Sequence, residues 1–332
     1  MKFSLIICTY KRAHSLRKLL DSVLLQSLYP NEILIIDGSP DDDTKDLLSK
    51  HNYKNLTYHK VKPKKRGLTK QRNIGINLCS KDSEIIAFLD DDIILDKDYF
   101  KNLIETYKLK PDAIAIGGYI TNDNVWIDEK QIIDKGKYFC FEGYCKKESQ
   151  RFLLRKKLGL APDRPPCHLP KFSHGRSVGH LPPTGKTYPV EQFMGGVSSY
   201  KASVFKSIKF SQYFEGYGLY EDADFCFRTL KLGQLYVNTS ATCEHHHAAS
   251  GRPNQFKYGM MVVKNGWYVW RLRWPNPGMK NIFKWHCITL LLAVLRFLNI
   301  FTRPKKGQAF TESMGRFIAW FELFLKKPKI KK

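Results

Sequence analysis

The segment Glu84-Ile85-Ile86-Ala87-Phe88-Leu89-Asp90-Asp91-Asp92 decides how the rest of the chain is interpreted. Five apolar residues in succession are typical of a strand that is buried on both faces, as in a parallel sheet. Three adjacent carboxylates follow at once, and they repel one another unless a cation lies among them. The segment therefore predicts a buried strand that ends at a cation-binding loop, with a solvated acidic turn as the alternative.

Similar apolar runs alternate with helix-like stretches on both sides of this segment. Further strands are predicted at Phe3–Cys8, Glu32–Ile36, Leu56–Val61, Ala113–Tyr119 and Leu235–Asn238, and helices at His14–Gln26, Asp41–Lys50, Leu68–Leu78, Asp98–Leu109 and Tyr220–Leu232. Repeated strand–helix units imply an α/β fold with a mostly parallel central sheet flanked by helices. Between about residues 122 and 192 the pattern dissolves, and a long loop region is expected there.

Polar clusters follow three of the predicted strands. They are Thr9-Tyr10-Lys11-Arg12, Asp37-Gly38-Ser39 and the aspartates Asp90 to Asp92. In parallel sheets, ligands bind beyond the carboxyl ends of the strands, so these clusters are expected to share one site. Hard oxygen ligands suit Mg²⁺ or Mn²⁺ holding a diphosphate.

Two further motifs carry titratable groups. Glu221 and Asp222 begin a predicted helix, where they act either as a general base for an acceptor hydroxyl or only as complements to the helix dipole. In His245-His246-His247, side chains alternate between faces, so at most His245 and His247 share one. One of these imidazoles is expected to complete the metal shell, with a surface cluster as the alternative.

The charge of the chain is strongly positive and unevenly placed. The formal net charge is +24, and the last 81 residues, from Arg252 onward, contain 17 Lys and Arg against two acids. This asymmetry predicts an anionic partner, either phospholipid headgroups or nucleic acid. The apolar run Trp285–Phe301 is shorter than the roughly 20 residues that a membrane span needs. Basic and aromatic residues surround it, which favours helices lying in the headgroup plane; the alternatives are a subdomain packed on the core and membrane insertion.

The eight cysteines and the N-terminus bear on the compartment. Cys140 and Cys145 lie close together and Cys167-His168 follows, but the absence of two-residue Cys spacings disfavours a zinc site. No signal peptide is recognised at the start of the sequence, so the cytosol is the expected compartment.

Taken together, these motifs resemble those of the inverting family 2 glycosyltransferases, which have the GT-A fold. Ile6–Arg12 resembles the first strand and nucleotide-contacting loop of that family, and Ile35–Ser39 its Asp-Asp-Gly-Ser turn, with Ile36 in place of the first aspartate. The other matching segments are Arg72–Gly75 (Arg-Asn-x-Gly), Leu89–Asp92 (Asp-x-Asp), Met194–Ser198 (the acceptor-side Gly-rich strand), Tyr220–Asp222 (Glu-Asp) and Ala241–His245 (a strand ending in a metal-binding histidine). The resemblance covers roughly residues 3–252.

The resemblance implies a role for each matching residue. Nucleotide-sugar contacts are expected from Thr9, Tyr10, Arg12, Asp37 (to the base), Arg72, Asn73, Asp90 and Asp91. Gly195 and Gly196 are expected on the acceptor side, Asp222 with Glu221 in catalysis, and Asp92 with His245 at the metal.

The implied activity is metal-dependent transfer of a sugar, with inversion, from a UDP-, dTDP- or GDP-sugar to a glycan or lipid-linked acceptor. Mn²⁺ or Mg²⁺ is the expected cofactor, in the synthesis of an envelope polysaccharide. Residues 1–252 are predicted to form the catalytic domain. Residues 253–332 are predicted to form a basic helical extension that holds the protein peripherally on the cytoplasmic face of an anionic membrane.

Two other classes of function are weighed against this one. A non-enzymatic protein that binds RNA or lipid headgroups would use the basic tail, but it leaves the acidic triplet without a purpose, and no nucleic acid partner is expected. A nucleotidyltransferase would usually carry a Gly-rich phosphate loop after the first strand, and Thr9–Arg12 contains no glycine.

Overall fold

The computed structural model describes residues 1–122, 124–246, 254–302 and 304–330. The chain divides into two compact units. The first unit comprises Met1–Trp126 and Val178–Gly251, and the second comprises Ile127–Ser177 and Arg252–Lys332. Each unit is described by itself below.

The first unit opens with the alternation of strands and helices that the sequence predicts. In chain order the elements are β1 (Phe3–Thr9), α1 (Ala13–Leu24), β2 (Glu32–Asp37), α2 (Asp43–Ser49), β3 (Leu56–Lys60), α3 (Leu68–Leu78), β4 (Ile85–Asp90), β5 (Ile93–Leu95), α4 (Tyr99–Leu109) and β6 (Ala113–Ile120). The apolar face of α1 is buried through Leu16, Leu19, Leu20 and Val23. The sequence analysis placed each of these elements to within a few residues, except the three-residue strand β5, which it did not predict.

Parallel pairing brings the polar strand ends to one edge of the sheet. Strands β3, β2, β1 and β4 are neighbours in that order, and all three pairings are parallel. In their register Thr9 lies opposite Asp37, and Cys8 opposite Asp90. The three polar clusters therefore start from the same edge, as expected.

The rest of the large sheet is mixed rather than parallel. Strand β11 (Val197–Lys201) is antiparallel to both of its neighbours, β4 and β6. Strand β12 (Gln234–His245) is parallel to β6 and antiparallel to β5 and to the edge strand β10 (Thr187–Val190). Because β11 runs opposite to β4, it begins beside the end of β4, where the aspartates lie. The α/β class is confirmed, with this antiparallel insertion as the departure from the predicted parallel sheet.

The region from residue 122 to 192 is not the loop that its sequence pattern indicates. It contains β10 and, in the second unit, β7 (Ile127–Asp128), β8 (Tyr138–Phe141), β9 (Tyr144–Lys147) and α5 (Gln150–Lys157). Strands β7, β9 and β8 form a small antiparallel sheet. Elements of two to four residues are too short to leave a visible hydrophobic period.

A disulfide joins the two strands of the small hairpin. Cys140 on β8 lies opposite Cys145 on β9, and their sulfurs are bonded. The turn between the strands uses Glu142 and Gly143, both with positive φ. The two cysteines that the sequence left open as zinc ligands are thus bonded to each other, and Cys167 is buried and takes no part in that disulfide.

Three long helices complete the second unit: α7 (Gln255–Arg273), α8 (Met279–Thr302) and α9 (Lys306–Leu325). Trp267, Trp270 and Trp285 pack against one another between α7 and α8, with ring centroids 4.9 to 5.3 Å apart. Within the described ranges, α8 is the one helix long and apolar enough to cross a membrane, with a mean hydropathy of 1.6 and 22% of that window buried. It is longer than the 17-residue apolar run because it also takes in the mixed residues from Met279 to Lys284.

Helices α7 and α9 approach closely through two glycines. A Cβ atom on Gly259 of α7 would collide with the carbonyl oxygen of Glu312, and one on Gly315 of α9 with that of Phe256. These neighbours are helix backbone, so they cannot move aside as a flexible side chain would. The contact therefore requires glycine at both positions.

We predict that Gly259→Ala destabilises the protein, although alanine is normally favoured in a helix by about 1 kcal/mol. The new methyl group would force α7 and α9 apart, and overpacking of this kind costs about 1–3 kcal/mol. Gly307→Ala is the control, because Gly307 is a helical glycine of α9 where an added Cβ meets nothing within 4 Å. Urea unfolding of both variants measures the effect. Equal or greater stability of Gly259→Ala would contradict the close contact.

Candidate active site

The three aspartates after β4 occupy different environments. Asp90 is 39% exposed, whereas the side chains of Asp91 and Asp92 are each only 5% exposed. Asp91 accepts hydrogen bonds from Thr9 Oγ1 at 2.7 Å and from Arg12 Nη1 at 3.0 Å. Burial raises the pKa of Asp91 to about 6, and the contacts with Arg12 and Thr9 oppose the rise. Asp91 therefore fixes the loop after β1 against the end of β4.

Asp92 lies beside one histidine of the triplet. His245 Nε2 is 3.1 Å from Asp92 Oδ1. The pairing of β12 with β5 produces this contact, because it sets His245 opposite Ile93, the residue after Asp92. His246 is directed away and contacts the exposed carboxylate of Glu244 at 2.8 Å. His247 lies outside the described residues.

The donor atoms of Asp92 and His245 fit a divalent cation. Two adjacent ligands of an octahedral ion with bonds of 2.0–2.1 Å are separated by roughly 3 Å, which matches their spacing here. Arg12 Nη1 lies 3.3 Å from the other oxygen of Asp92 and helps to orient it. A carboxylate with a neutral imidazole is a donor set that Mn²⁺ and Mg²⁺ accept, with open positions left for phosphate oxygens.

Arg72, on α3, connects three elements at the site. Its Nη1 bonds Glu221 Oε1 at 2.5 Å, and its Nη2 lies 3.4 Å from Asp90 Oδ1. The guanidinium also stands over the rings of Phe88 and Phe210, at 5.7 and 5.2 Å from their centroids. Burial raises the pKa of Glu221 to about 8, and the Arg72 charge opposes the rise.

Gly195 and Gly196 lie between these charged groups. A Cβ on Gly195 would come within 2.6 Å of Glu221 Oε1 and 2.8 Å of Arg72 Nη1. A Cβ on Gly196 would collide with the Asp90 carboxylate. Side chains at either position would displace the charged groups, so the two glycines are explained by this close approach.

Asp222 is the second residue of α6 (Glu221–Thr229). Its Oδ1 accepts a hydrogen bond from the Ala223 amide at 2.8 Å, and its Oδ2 a longer one from the Gly195 amide at 3.4 Å. Burial raises the pKa of Asp222, while these two hydrogen bonds lower it. The structure thus places Asp222 with Glu221, Arg72 and Asp90 around the two glycines.

The remaining predicted nucleotide contacts lie near the same edge of the sheet. Asp37 is fully buried and accepts bonds from the Ser39 amide at 2.7 Å and from Tyr58 Oη at 2.9 Å. The Asn73 amide exchanges two 2.9 Å hydrogen bonds with the backbone of Phe210. Tyr10 is 43% exposed at the rim. Their contacts with a nucleotide stay predictions.

Gln71 is a residue of this edge that the sequence did not single out. From α3 its Nε2 donates to the carbonyls of Thr9 at 3.2 Å and Ile36 at 2.7 Å, and its Oε1 accepts from the Gly67 amide. It thereby ties together the ends of β1 and β2. The sequence feature that could have indicated Gln71 is its position next to Arg72 on the predicted helix Leu68–Leu78.

Comparison with known proteins agrees with this geometry. Residues 4–162 match the model of the family described as "Glycosyl transferase family 2". A glucosyl-dolichyl phosphate glucuronosyltransferase of Haloferax volcanii is 30% identical over 133 residues, which are 39% of this chain and 41% of that protein. The O-antigen chain rhamnosyltransferase RfbN of Salmonella typhimurium is 33% identical over 105 residues, 31% of this chain and 32% of that protein. The matches therefore span less than half of the length of either relative.

Solved structures share the fold at low sequence identity. The mannosyltransferase PcManGT of Pyrobaculum calidifontis, in complex with GDP-Man and Mn²⁺, superposes with a TM-score of 0.54 at 12% identity, covering 98% of this chain and 87% of that one. GalNAc-T7, with UDP, GalNAc and Mn²⁺, gives 0.52 at 15% identity, covering 80% and 48%. None of these relatives supports the alternative of a non-enzymatic polyanion-binding protein. Residues 4–162 of the chain are thus similar to glycosyl transferase family 2, and the fold of the chain is GT-A.

Proposed function

We propose that this chain is a metal-dependent glycosyltransferase that moves a sugar, with inversion, from a nucleoside-diphosphate sugar to a hydroxyl group of a glycan or lipid-linked acceptor. The observation that carries the proposal is the placement of the Asp92–His245 pair next to the cluster formed by Asp90, Arg72, Glu221 and Asp222. The Asp92–His245 pair offers ligands for a cation, and the other cluster offers the carboxylate of Asp222 at the same edge of the sheet.

Asp92 and His245 would hold the cation, and Asp90 with Arg72 would position the donor. The cation supplies positive charge that stabilises the departing diphosphate. Arg72 is buried and already paired with two carboxylates, so its guanidinium is pre-oriented at the edge where the diphosphate would lie. Such fixed charges stabilise a developing negative charge without reorganising during the reaction.

Asp222 is the better placed of the two predicted catalytic acids. Glu221 is committed to Arg72, and with its pKa raised to about 8 it is not a ready base at neutral pH. It acts as a positioning residue. Asp222 accepts its hydrogen bonds from backbone amides, and within the described residues it forms no salt bridge, although the charge of Arg72 lowers its pKa. In the proposed step Asp222 takes the proton of the acceptor hydroxyl as its oxygen attacks the anomeric carbon, and the nucleoside diphosphate leaves from the opposite face.

We expect one nucleoside diphosphate among UDP, GDP and dTDP to bind in the presence of Mn²⁺ and to be released by EDTA. Asp92→Ala should weaken this binding by about 10- to 100-fold, the loss typical of a damaged metal site. Glu105→Ala, which removes an exposed carboxylate on α4, is the control and should leave binding unchanged. Titration calorimetry measures all of these. Wild-type protein that binds none of the three nucleotides would overturn the proposal.

We expect Asp222→Asn to lower kcat by about 10²- to 10⁴-fold, because an amide cannot take the acceptor proton. Nucleotide affinity should stay within a few fold of wild type. Wild-type kcat should rise with pH as this carboxyl loses its proton. Because burial raises the pKa of Asp222, the apparent pKa of this rising limb of the pH–rate profile should lie above the usual aspartate value of about 4.

A pH–rate profile on wild type, Asp222→Asn and Glu221→Gln separates the two acids. The limb should disappear in Asp222→Asn and remain in Glu221→Gln. A limb that persists in Asp222→Asn and vanishes in Glu221→Gln would reassign the base to Glu221.

Catalysis is assigned in this proposal to residues 1–252, and attachment to an anionic membrane surface on the cytoplasmic side to residues 253–332. Support comes from the surface of α9. Its exposed apolar residues are Phe310, Ile318, Phe321, Phe324 and Leu325. Exposed lysines lie at both ends of the helix: Lys305 and Lys306 at its start, and Lys326, Lys327 and Lys329 after its end. Apolar groups that enter the lipid and cations that meet acidic headgroups are the two components of interfacial binding.

We predict that the protein floats with vesicles containing acidic phospholipid, less so at high salt, and not with purely zwitterionic vesicles. Replacing Phe321 and Phe324 together by serine should abolish flotation, because these rings are 61% and 58% exposed. Leu109→Ser, at an even more exposed apolar site on α4, should leave flotation unchanged. Wild type that never floats would contradict surface binding. Retention that survives alkaline washing would instead indicate that α8 spans the bilayer.

A further inference from the structure

Three guanidinium groups surround one phenylalanine ring in the second unit. The Cζ atoms of Arg151, Arg155 and Arg176 lie 5.1, 5.2 and 4.6 Å from the centroid of Phe152 on α5. Like charges held this closely repel one another, and burial strengthens the repulsion. A group of opposite charge is expected among them.

Glu148 supplies only part of that opposite charge. Its Oε2 bonds Arg176 Nη2 at 2.6 Å. Arg155 is 1% exposed, and its Nε donates to the Leu160 carbonyl at 3.0 Å. One carboxylate therefore faces three guanidinium groups.

Hydrogen-bond donors of this cluster are buried without acceptors. Among the described residues, Arg155 Nη2 and Arg176 Nη1 have none, and the ring nitrogen Nε2 of His174 and the carboxylate oxygen Oε1 of Glu148 are also buried without a partner. Burial together with Arg176 and Arg151 lowers the pKa of Arg155 to about 10, and burial with nearby arginines lowers that of His174 to about 3. The cluster is thus electropositive and short of acceptor atoms.

Packing against aromatic rings does not account for the arrangement. A cation over a ring recovers only part of the hydration that a buried guanidinium loses. Buried polar groups in proteins normally find partners, so orphaned donors on two arginines indicate a ligand that the polypeptide does not provide. The planar fork of arginine matches the oxygens of a phosphate group.

We propose that Arg151, Arg155 and Arg176 form a binding site for a phosphate-type oxyanion, with Arg155 as its central residue. The site consists of residues of the second unit alone, and it does not rest on the proposed transferase activity. The phosphate group could belong to a free phosphate or diphosphate, or to a phospholipid head. The second source has structural support, because Leu160, which holds Arg155, packs with Phe172 against Ile288 of α8.

The first arm of the test is titration of the full chain with inorganic diphosphate in EDTA. Chelation suppresses binding at the proposed donor site, and the variant Asp92→Ala confirms that any remaining binding is separate from it. We expect Arg155→Met to weaken binding at least about tenfold, the usual loss when charge-assisted hydrogen bonds are removed. Lys157→Met removes the same charge from an exposed position on the same helix and should leave affinity within about twofold of wild type.

The second arm distinguishes the source of the phosphate. If wild type ignores diphosphate but Arg155→Met floats less than Lys157→Met with vesicles of phosphatidylcholine and phosphatidic acid, the ligand is a lipid head, and the site stands. If Arg155→Met behaves as wild type in both arms, the site is refuted.

The midpoint of thermal unfolding, measured without ligand, shows whether each variant is folded. Arg155→Met should fold, because it removes a buried charge that is only partly compensated. Should it fail to fold, Arg155→Lys is used instead, because lysine keeps the positive charge but lacks the planar guanidinium group. Weaker binding of diphosphate or of phosphatidic acid vesicles by this variant would support the site. Unchanged binding by Arg155→Lys would then count against it.

Discussion

The ion pairs of Arg72 are the contacts on which the arrangement of the proposed active site depends. One guanidinium from α3 holds the first residue of α6 and the last residue of β4, and two phenylalanine rings cover it. A buried charge of this kind is tolerated only where its partners are fixed, and it fixes them in return. Gly195 and Gly196, which precede the antiparallel strand β11, lie where these charged groups leave no room for a side chain.

Structural features that depend on residues close together in the sequence were predicted well. The apolar runs of β1 and β4 and the amphipathic pattern of α1 led to elements that the structure contains, and the polar residues after each strand led to the shared edge. The alternation of side chains along a strand indicates that at most His245 and His247 share a face, and the family resemblance favours His245 as the metal ligand, with its neighbours as alternatives. The structure shows His245 there, while His247 lies outside the described residues.

What the sequence could not provide are relations between distant segments. A hydrophobic pattern does not contain the direction of a strand, so β11 could not be recognised as antiparallel. Strands as short as Ile127–Asp128 have no period to detect, so the small sheet was taken for a loop. The bonds of Gln71 to two strand ends and the gathering of three arginines around Phe152 depend on tertiary packing of residues whose types are unremarkable in sequence.

The pairing of β12 with β5 has a consequence for how this region can change in evolution. Residues on a strand face alternate sides, so a single-residue insertion or deletion ahead of His245 would exchange its place for that of Glu244 or His246 and turn the imidazole away from Asp92. Most substitutions along β12 would leave that facing intact. The length of this strand is therefore constrained as well as its composition: a codon gained ahead of His245 would set Glu244 opposite Ile93, whereas a codon lost there would set His246 in that place and keep an imidazole beside Asp92.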